Sequence, residues 1–237
     1  MKVRKRIAVR GVVQGVGFRP HVHRLASESR LSGWVKNDAA GVTIEVQGAS
    51  EAVGRFIKDL EALKPAAASI DSIKVSAAAL KADGAFAIAP SGGEAAAEAR
   101  IPADLGLCRD CRREISDPLD RRYLYPFTNC TNCGPRFTIV KGIPYDRPLT
   151  TMAGFRMCPD CLAEYRDPSD RRFHAQPNAC PVCGPSVRSV INGRSVSGPA
   201  VLEAAARLLA AGKIVALQSL GGFHLACDAS DREAVMR

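Results

Sequence analysis

Eight of the nine cysteines fall into four C-x2-C pairs, Cys108/Cys111, Cys130/Cys133, Cys158/Cys161 and Cys180/Cys183, and the last two pairs repeat the first two with an offset of fifty residues. The repeat runs beyond the thiols: Glu114 matches Glu164, a DPxDRR run followed by an aromatic recurs, and both copies end in Cys-Gly-Pro. Thiolates at this spacing suit zinc, because one C-x2-C turn brings two of them to an ion and a second completes a tetrahedral shell. The spacing fits structural disulfides poorly, and no secretory signal pattern opens the sequence. Two zinc ions are therefore expected, both structural, since four thiolates leave no open position for water. The pairing stays open: each fifty-residue unit holds its own ion, or the repeats exchange pairs. The sequential arrangement is the expectation.

A second constellation lies at residues 11–19, GVVQGVGFR. Its glycines permit tight curvature. Successive N–H groups of Gln14, Gly15, Val16, Gly17 and Phe18, just ahead of a helix, can converge on the oxygens of a phosphate. Arg19 adds a planar fork of donors that holds two oxygens at once. Turns need glycine in any protein, so composition alone leaves a purely structural loop as an alternative. Of the histidines, His21 is close enough to the loop to touch a ligand, though packing explains it better. His174 is not needed in a metal shell already filled by four cysteines, and Cys227 reads as a small buried apolar residue.

The elements that must position these groups can be read from periodicity. Residues 4–13, 33–37, 42–48, 69–78 and 86–89 read as strands, and residues 20–31 and 50–63 as helices, with Pro20 at a first helical position and Ser50 as N-cap. The order is β-α-β-β-α-β with a short final strand, the split β-α-β sandwich. Residues 91–99 read as a linker. Residues 100–190 are rich in Arg, Asp, Pro and Cys, with little apolar periodicity, so metal must supply what a core does not. Asn192-Gly193 suggests a hairpin turn. A helix at residues 199–211 is closed by Gly212, a strand follows at 213–218, and Ser230 to Glu233 reads as a capping box. This last segment looks like the start of a larger α/β domain. The fold class expected is α+β: a ferredoxin-like sandwich at residues 1–90, a two-site, four-cysteine zinc-finger module at 100–190 and an incomplete α/β segment at 199–237.

The chain has 46% apolar residues and a net charge of +9. No apolar run is long enough to cross a membrane, and reduced cysteines agree with the cytoplasm. The only basic cluster is Lys2, Arg4, Lys5, Arg6 and Arg10, without interleaved aromatics. A solvated edge strand, or a field that draws in a small phosphate, explains it at least as well as nucleic acid.

GVVQGVGFR together with Gly33-Trp34-Val35-Lys36-Asn37 resembles the acylphosphatase signature. The resemblance implies that Arg19 binds the phosphoryl group, that Asn37 orients the attacking water and that the Gln14 to Phe18 amides complete the cradle. Trp34 reads as a core or cleft-wall aromatic. The whole order, with C-x2-C-x18-C-x2-C-x24-C-x2-C-x18-C-x2-C and then GKIVALQSLGGFHLACDA, resembles the HypF family of carbamoyltransferases. That resemblance implies carbamoyl phosphate as substrate and hydrolysis to carbamate as the first step. It implies ATP in a complete YrdC-like domain, and a HypE-type hydrogenase maturation partner whose cysteine receives the carbamoyl group. Gln218-Ser219 departs from the family's Lys-Gly and puts nucleotide binding in doubt. Two other functions fit the sequence: a zinc-finger docking or nucleic-acid-binding protein with a non-catalytic phosphate loop, and a free-standing acylphosphatase.

Overall fold

Strand β1 (Lys2–Val12) alternates in burial, with Ile7 and Val9 fully enclosed, so one face of it must be covered. In the computed structural model, which describes residues 1–92, 98–191, 193–198 and 200–237, that cover is α1 (Phe18–Glu28) and α2 (Ser50–Ala62). Strands β2 (Ser32–Asp38), β3 (Gly41–Ala49), β4 (Ser69–Ala77) and β5 (Phe86–Ile88) complete a sheet of order β4-β1-β3-β2-β5, antiparallel except for the β2–β5 pair. The core is Ile7, Val9, Val22, Val35, Ile44, Phe56 and Leu60 with their neighbours. Burying a side chain such as Phe56 contributes about 2–3 kcal/mol.

The expected α+β sandwich is present, with the short fifth strand added beside β2. Details differ. Helix α1 begins at Phe18, so Pro20 is its third residue, and Ser50 is the first residue of α2 and not its cap. β1 lies inside the sheet and not at its edge. Its Arg4 is buried on the face away from the helices, 2.7 Å from Glu45 and paired also with Asp83, which removes it from any solvated basic patch. Trp34 is half-buried on that same outer face, with the Lys36 Nζ 5.5 Å from its ring centroid. It is not a core residue.

Of the linker, residues 93–97 lie outside the described residues. Its flanks are tied to the β2–β3 turn: Gly92 N–H donates to Asn37 O at 3.2 Å, and Glu98 and Ala99 both donate to Ala39 O at 2.9 Å.

Each repeat opens with a helix directly after its first cysteine, α3 (Arg109–Ser116) and α4 (Pro159–Arg166). The DPxDRR run then turns the chain: Asp117 accepts from Leu119 N–H and Asp120 from Arg122 N–H, and Asp167 and Asp170 do the same in the second copy. Leu124 and His174, at equivalent positions, share a left-handed φ of 53°.

Beyond the repeats, β6 (Arg188–Ile191) and β7 (Arg194–Ser197) form a hairpin, and β8 (Val215–Ser219) pairs with β9 (Gly222–Ala226) after α5 (Ala200–Ala210). The expected turn residue Asn192 and the expected helix start Pro199 lie outside the described residues. α6 (Arg232–Met236) is capped by Asp231, which accepts from Glu233 and Ala234 N–H, because Ser230 is engaged with Asp228. Among the described residues no helix is long and apolar enough to cross a membrane.

Candidate functional site

The loop between β1 and α1 is pinned from below by Val13, Val16 and Phe18, each 1% exposed. Gly15 and Gly17 adopt left-handed φ values of 71° and 74°, which a side chain resists. Among the described residues, no hydrogen bond uses the backbone N–H groups of Gly15, Val16, Gly17 or Phe18. Four adjacent free donors ahead of a helix make an anion cradle. The backbone N–H of Gln14 likewise has no partner among the described residues, and its side chain has a separate role. Its side chain is saturated by Asp38 O and Gly41 O, both at 2.7 Å, and by Tyr145 N–H at 2.8 Å, so it fixes the loop and is not free for a ligand.

Arg19, in the first turn of α1, and Asn37, near the end of β2, line the same cavity as the loop. Both are buried. Arg19 donates to Ser91 Oγ at 3.2 Å and is ion-paired with Asp146 at 2.7 Å. Asn37 donates through Nδ2 to Tyr145 O at 3.3 Å, while its Oδ1 is enclosed without a partner. An acceptor left unsatisfied in a buried cleft is available to a water or a ligand.

The far wall comes from the repeat region. Arg136 reaches Gly15 O through Nε and spends its other donors on the carbonyls of Cys130, Thr131, Cys133 and Pro135. His174, Ala175 and Gln176 also line this cavity. Burial, with the positive charge of Arg19 adding to it, pushes the His174 imidazole down to about 4, so it is neutral near pH 7. The cavity measures only about 30 Å³ for the centre of a water-sized sphere, room for a few waters.

Sequence reasoning placed the loop, Arg19 and Asn37 together but missed Arg136, Tyr145, Asp146, His174 and Gln176. A signal was present. Residues 141–156, which carry Tyr145 and Asp146, separate the two repeats and have no counterpart in either, and His174 stands where the first repeat has Leu124.

The eight thiols form two clusters, Cys108/Cys111/Cys130/Cys133 and Cys158/Cys161/Cys180/Cys183, so the pairing is sequential. Neighbouring Sγ atoms lie 3.6 to 3.8 Å apart, for example Cys108 to Cys130 at 3.7 Å and Cys161 to Cys183 at 3.6 Å. A disulfide needs about 2.0 Å. Four sulfurs at about 2.3 Å from a tetrahedral zinc are about 3.8 Å apart, so the clusters fit that ion. Four thiolates around a divalent ion leave two negative charges. Arg171 N–H donates to Cys111 Sγ at 3.0 Å and Arg121 to Cys161 Sγ at 3.2 Å, each from the opposite repeat.

Comparison with known proteins agrees with this anatomy. Residues 5–88 match the acylphosphatase family, and residues 107–140 and 157–190 match the HypF finger. Carbamoyltransferase HypF2 of Cupriavidus necator is 52% identical over 240 residues, covering 99% of this chain and 30% of the relative. An acylphosphatase of Chlorobaculum tepidum is 47% identical over 73 residues, 30% of this chain and 78% of that protein. A crystal structure of full-length HypF in a phosphate- and nucleotide-bound form superposes with a TM-score of 0.90 at 43% identity, covering 100% of this chain and 31% of that one. The chain thus spans about three-tenths of the length of the HypF relatives it matches. An acylphosphatase-type loop followed by a doubled HypF finger, similar throughout to these proteins, means that the chain belongs to the HypF family.

Proposed function

We propose that this chain hydrolyses the acyl-phosphate bond of carbamoyl phosphate. The observation that carries the reading is that free amides of the loop, the Arg19 guanidinium and the unpartnered Asn37 Oδ1 belong to one cavity, whose loop lining includes Gln14, Gly15, Gly17 and Phe18. The amides and Arg19 hold the phosphoryl oxygens and absorb charge as the bond opens. Asn37 Oδ1 accepts a hydrogen bond from water and aims its oxygen at phosphorus. The bond from phosphorus to the carbamoyl oxygen breaks, carbamate departs with the bonding pair, and the water's oxygen and protons end on phosphate. No enzyme-bound intermediate is required.

On this reading residues 1–90 are the hydrolytic domain, 91–99 a linker, 100–190 a two-zinc module whose ions hold the loop-covering segments in place, and 199–237 the beginning of a nucleotide-binding domain. The whole family protein would activate the carbamate with ATP and pass it to a HypE-type hydrogenase maturation partner. Phosphate release from carbamoyl phosphate by wild type, Arg19→Ala and Asn37→Ala tests the hydrolytic step. Losses on the order of 10²–10³-fold are expected from removing one transition-state donor. Hydrolysis unaffected by either substitution would sink the reading.

A further inference from the structure

The phosphate-binding arginine is already occupied. Asp146 Oδ1 stands 2.7 Å from Arg19 NH2, and Ser91 takes NH1. Asp146 comes from the unrepeated segment between the fingers, next to Tyr145, whose N–H and C=O are held by Gln14 and Asn37. A carboxylate beside a site for a phosphate dianion repels the ligand unless the ligand brings donors of its own. When a phosphoryl group takes Arg19, Asp146 loses its counter-ion in a partly buried place and needs N–H groups to satisfy it.

Given the hydrolytic reading above, on which the assignment rests, we infer that the segment carrying Tyr145 and Asp146 is an acyl-group subsite. In it the Asp146 carboxylate accepts from the amide N–H groups of a carbamoyl phosphate and rejects acyl phosphates that lack them. Carbamoyl and acetyl phosphate have nearly the same shape, differing by an amino group against a methyl group. Shape therefore cannot separate them, whereas an acceptor can, because a methyl group leaves the carboxylate unpaired. His174 lines the cavity as a neutral imidazole near enough to feel the Asp146 charge, so it adds no positive charge to compete for Asp146. The phosphate half of the substrate is thus read by the sheet unit and the acyl half by the finger module.

The test compares hydrolysis of carbamoyl phosphate and acetyl phosphate by this chain, as wild type, Asp146→Asn, Asp146→Ala and Arg19→Ala. Wild type should prefer carbamoyl phosphate in kcat/KM on the order of 10⁴-fold, as a site built for a hydrogen bond discriminates against a ligand lacking it. Both Asp146 variants should bring the ratio to within a few-fold of one. The ratio is internal to each protein, so a general loss of folding does not imitate the result. For variants with too little turnover, binding of the methylene phosphonate analogues of the two substrates gives the same ratio. Hydrolysis that survives Arg19→Ala defeats the phosphate-site reading itself. Hydrolysis that needs Arg19, with a ratio unmoved in Asp146→Ala or already near one in wild type, overturns the acyl-subsite assignment alone.

Discussion

Arg122 closes both prongs of its guanidinium on Glu164 of the other repeat, NH1 to Oε1 at 2.8 Å and NH2 to Oε2 at 2.6 Å. Arg172 makes the reciprocal pair with Glu114. The Nε groups follow the same exchange, Arg122 donating to Ala179 O and Arg172 to Asn129 O, both at 3.0 Å. The thiol clusters are therefore each built from one repeat, while the arginines that support them are traded.

Breaking one of these pairs should be expensive. Burial alone would raise the Glu164 carboxyl, but Arg122, with Arg172 and Arg121 behind it, wins and holds it at about 2. Arg122→Ala removes the two-pronged partner and leaves the carboxylate with Arg121 at 2.9 Å, so it should cost about 1.5–3 kcal/mol in urea unfolding, the range for a lost hydrogen bond to a charged group. The apolar double substitution Arg122→Met/Glu164→Leu should cost less than Arg122→Ala alone.

Metal analysis should return about two zinc per chain, on the four-thiolate rule. Stripping the zinc should also suppress acyl-phosphate hydrolysis, even though none of the eight clustered cysteines is among the described residues that line the loop's cavity. Arg136, which grips Gly15 O, is anchored on the carbonyls of Cys130 and Cys133. A metal-free protein with a folded finger module and full activity would refute this coupling.

Acid should weaken the fold through His21. Burial, assisted by the Arg24 charge, lowers this imidazole from 6.5 to about 4. The folded state thus resists a proton that the unfolded chain accepts. The contribution is absent above pH 6.5 and becomes increasingly destabilising as pH falls from 6.5 towards 4. His21→Phe should gain stability relative to wild type across that window in urea melts, and a difference independent of pH would contradict the assignment.

Gly17→Ala should impair both stability and hydrolysis. Gly17 has φ 74°, and a Cβ there would sit 3.3 Å from Thr131 Cβ. The left-handed backbone alone costs about 1–2 kcal/mol. Phosphate affinity should fall with it, because the same residue supplies one of the free amides; isothermal titration with inorganic phosphate reads this directly.

Local pattern made the thiols, the phosphate loop and most strands legible. β1 and β3 place β-branched residues in near alternation along the strand, and the cysteine spacing is set by a metal's coordination number. What sequence hid was long-range closure. Gly15 meets Arg136 and Asn37 meets Tyr145 across more than a hundred residues, and no periodicity encodes such contacts. The arginine exchange was hidden for a different reason. Because Arg122 and Arg172 occur in both copies with identical partners, an internal and a crossed arrangement look the same on paper.

The crossed contacts have the form of an isologous interface, in which residue i of one half meets residue j of the other and j meets i. A single repeat, carrying one arginine pair and one glutamate, holds both sides of that contact. Excised alone, it displays the complement of its own surface and so is equipped to pair with a copy of itself. The fifty-residue duplication then has the form of a homodimer written into one polypeptide.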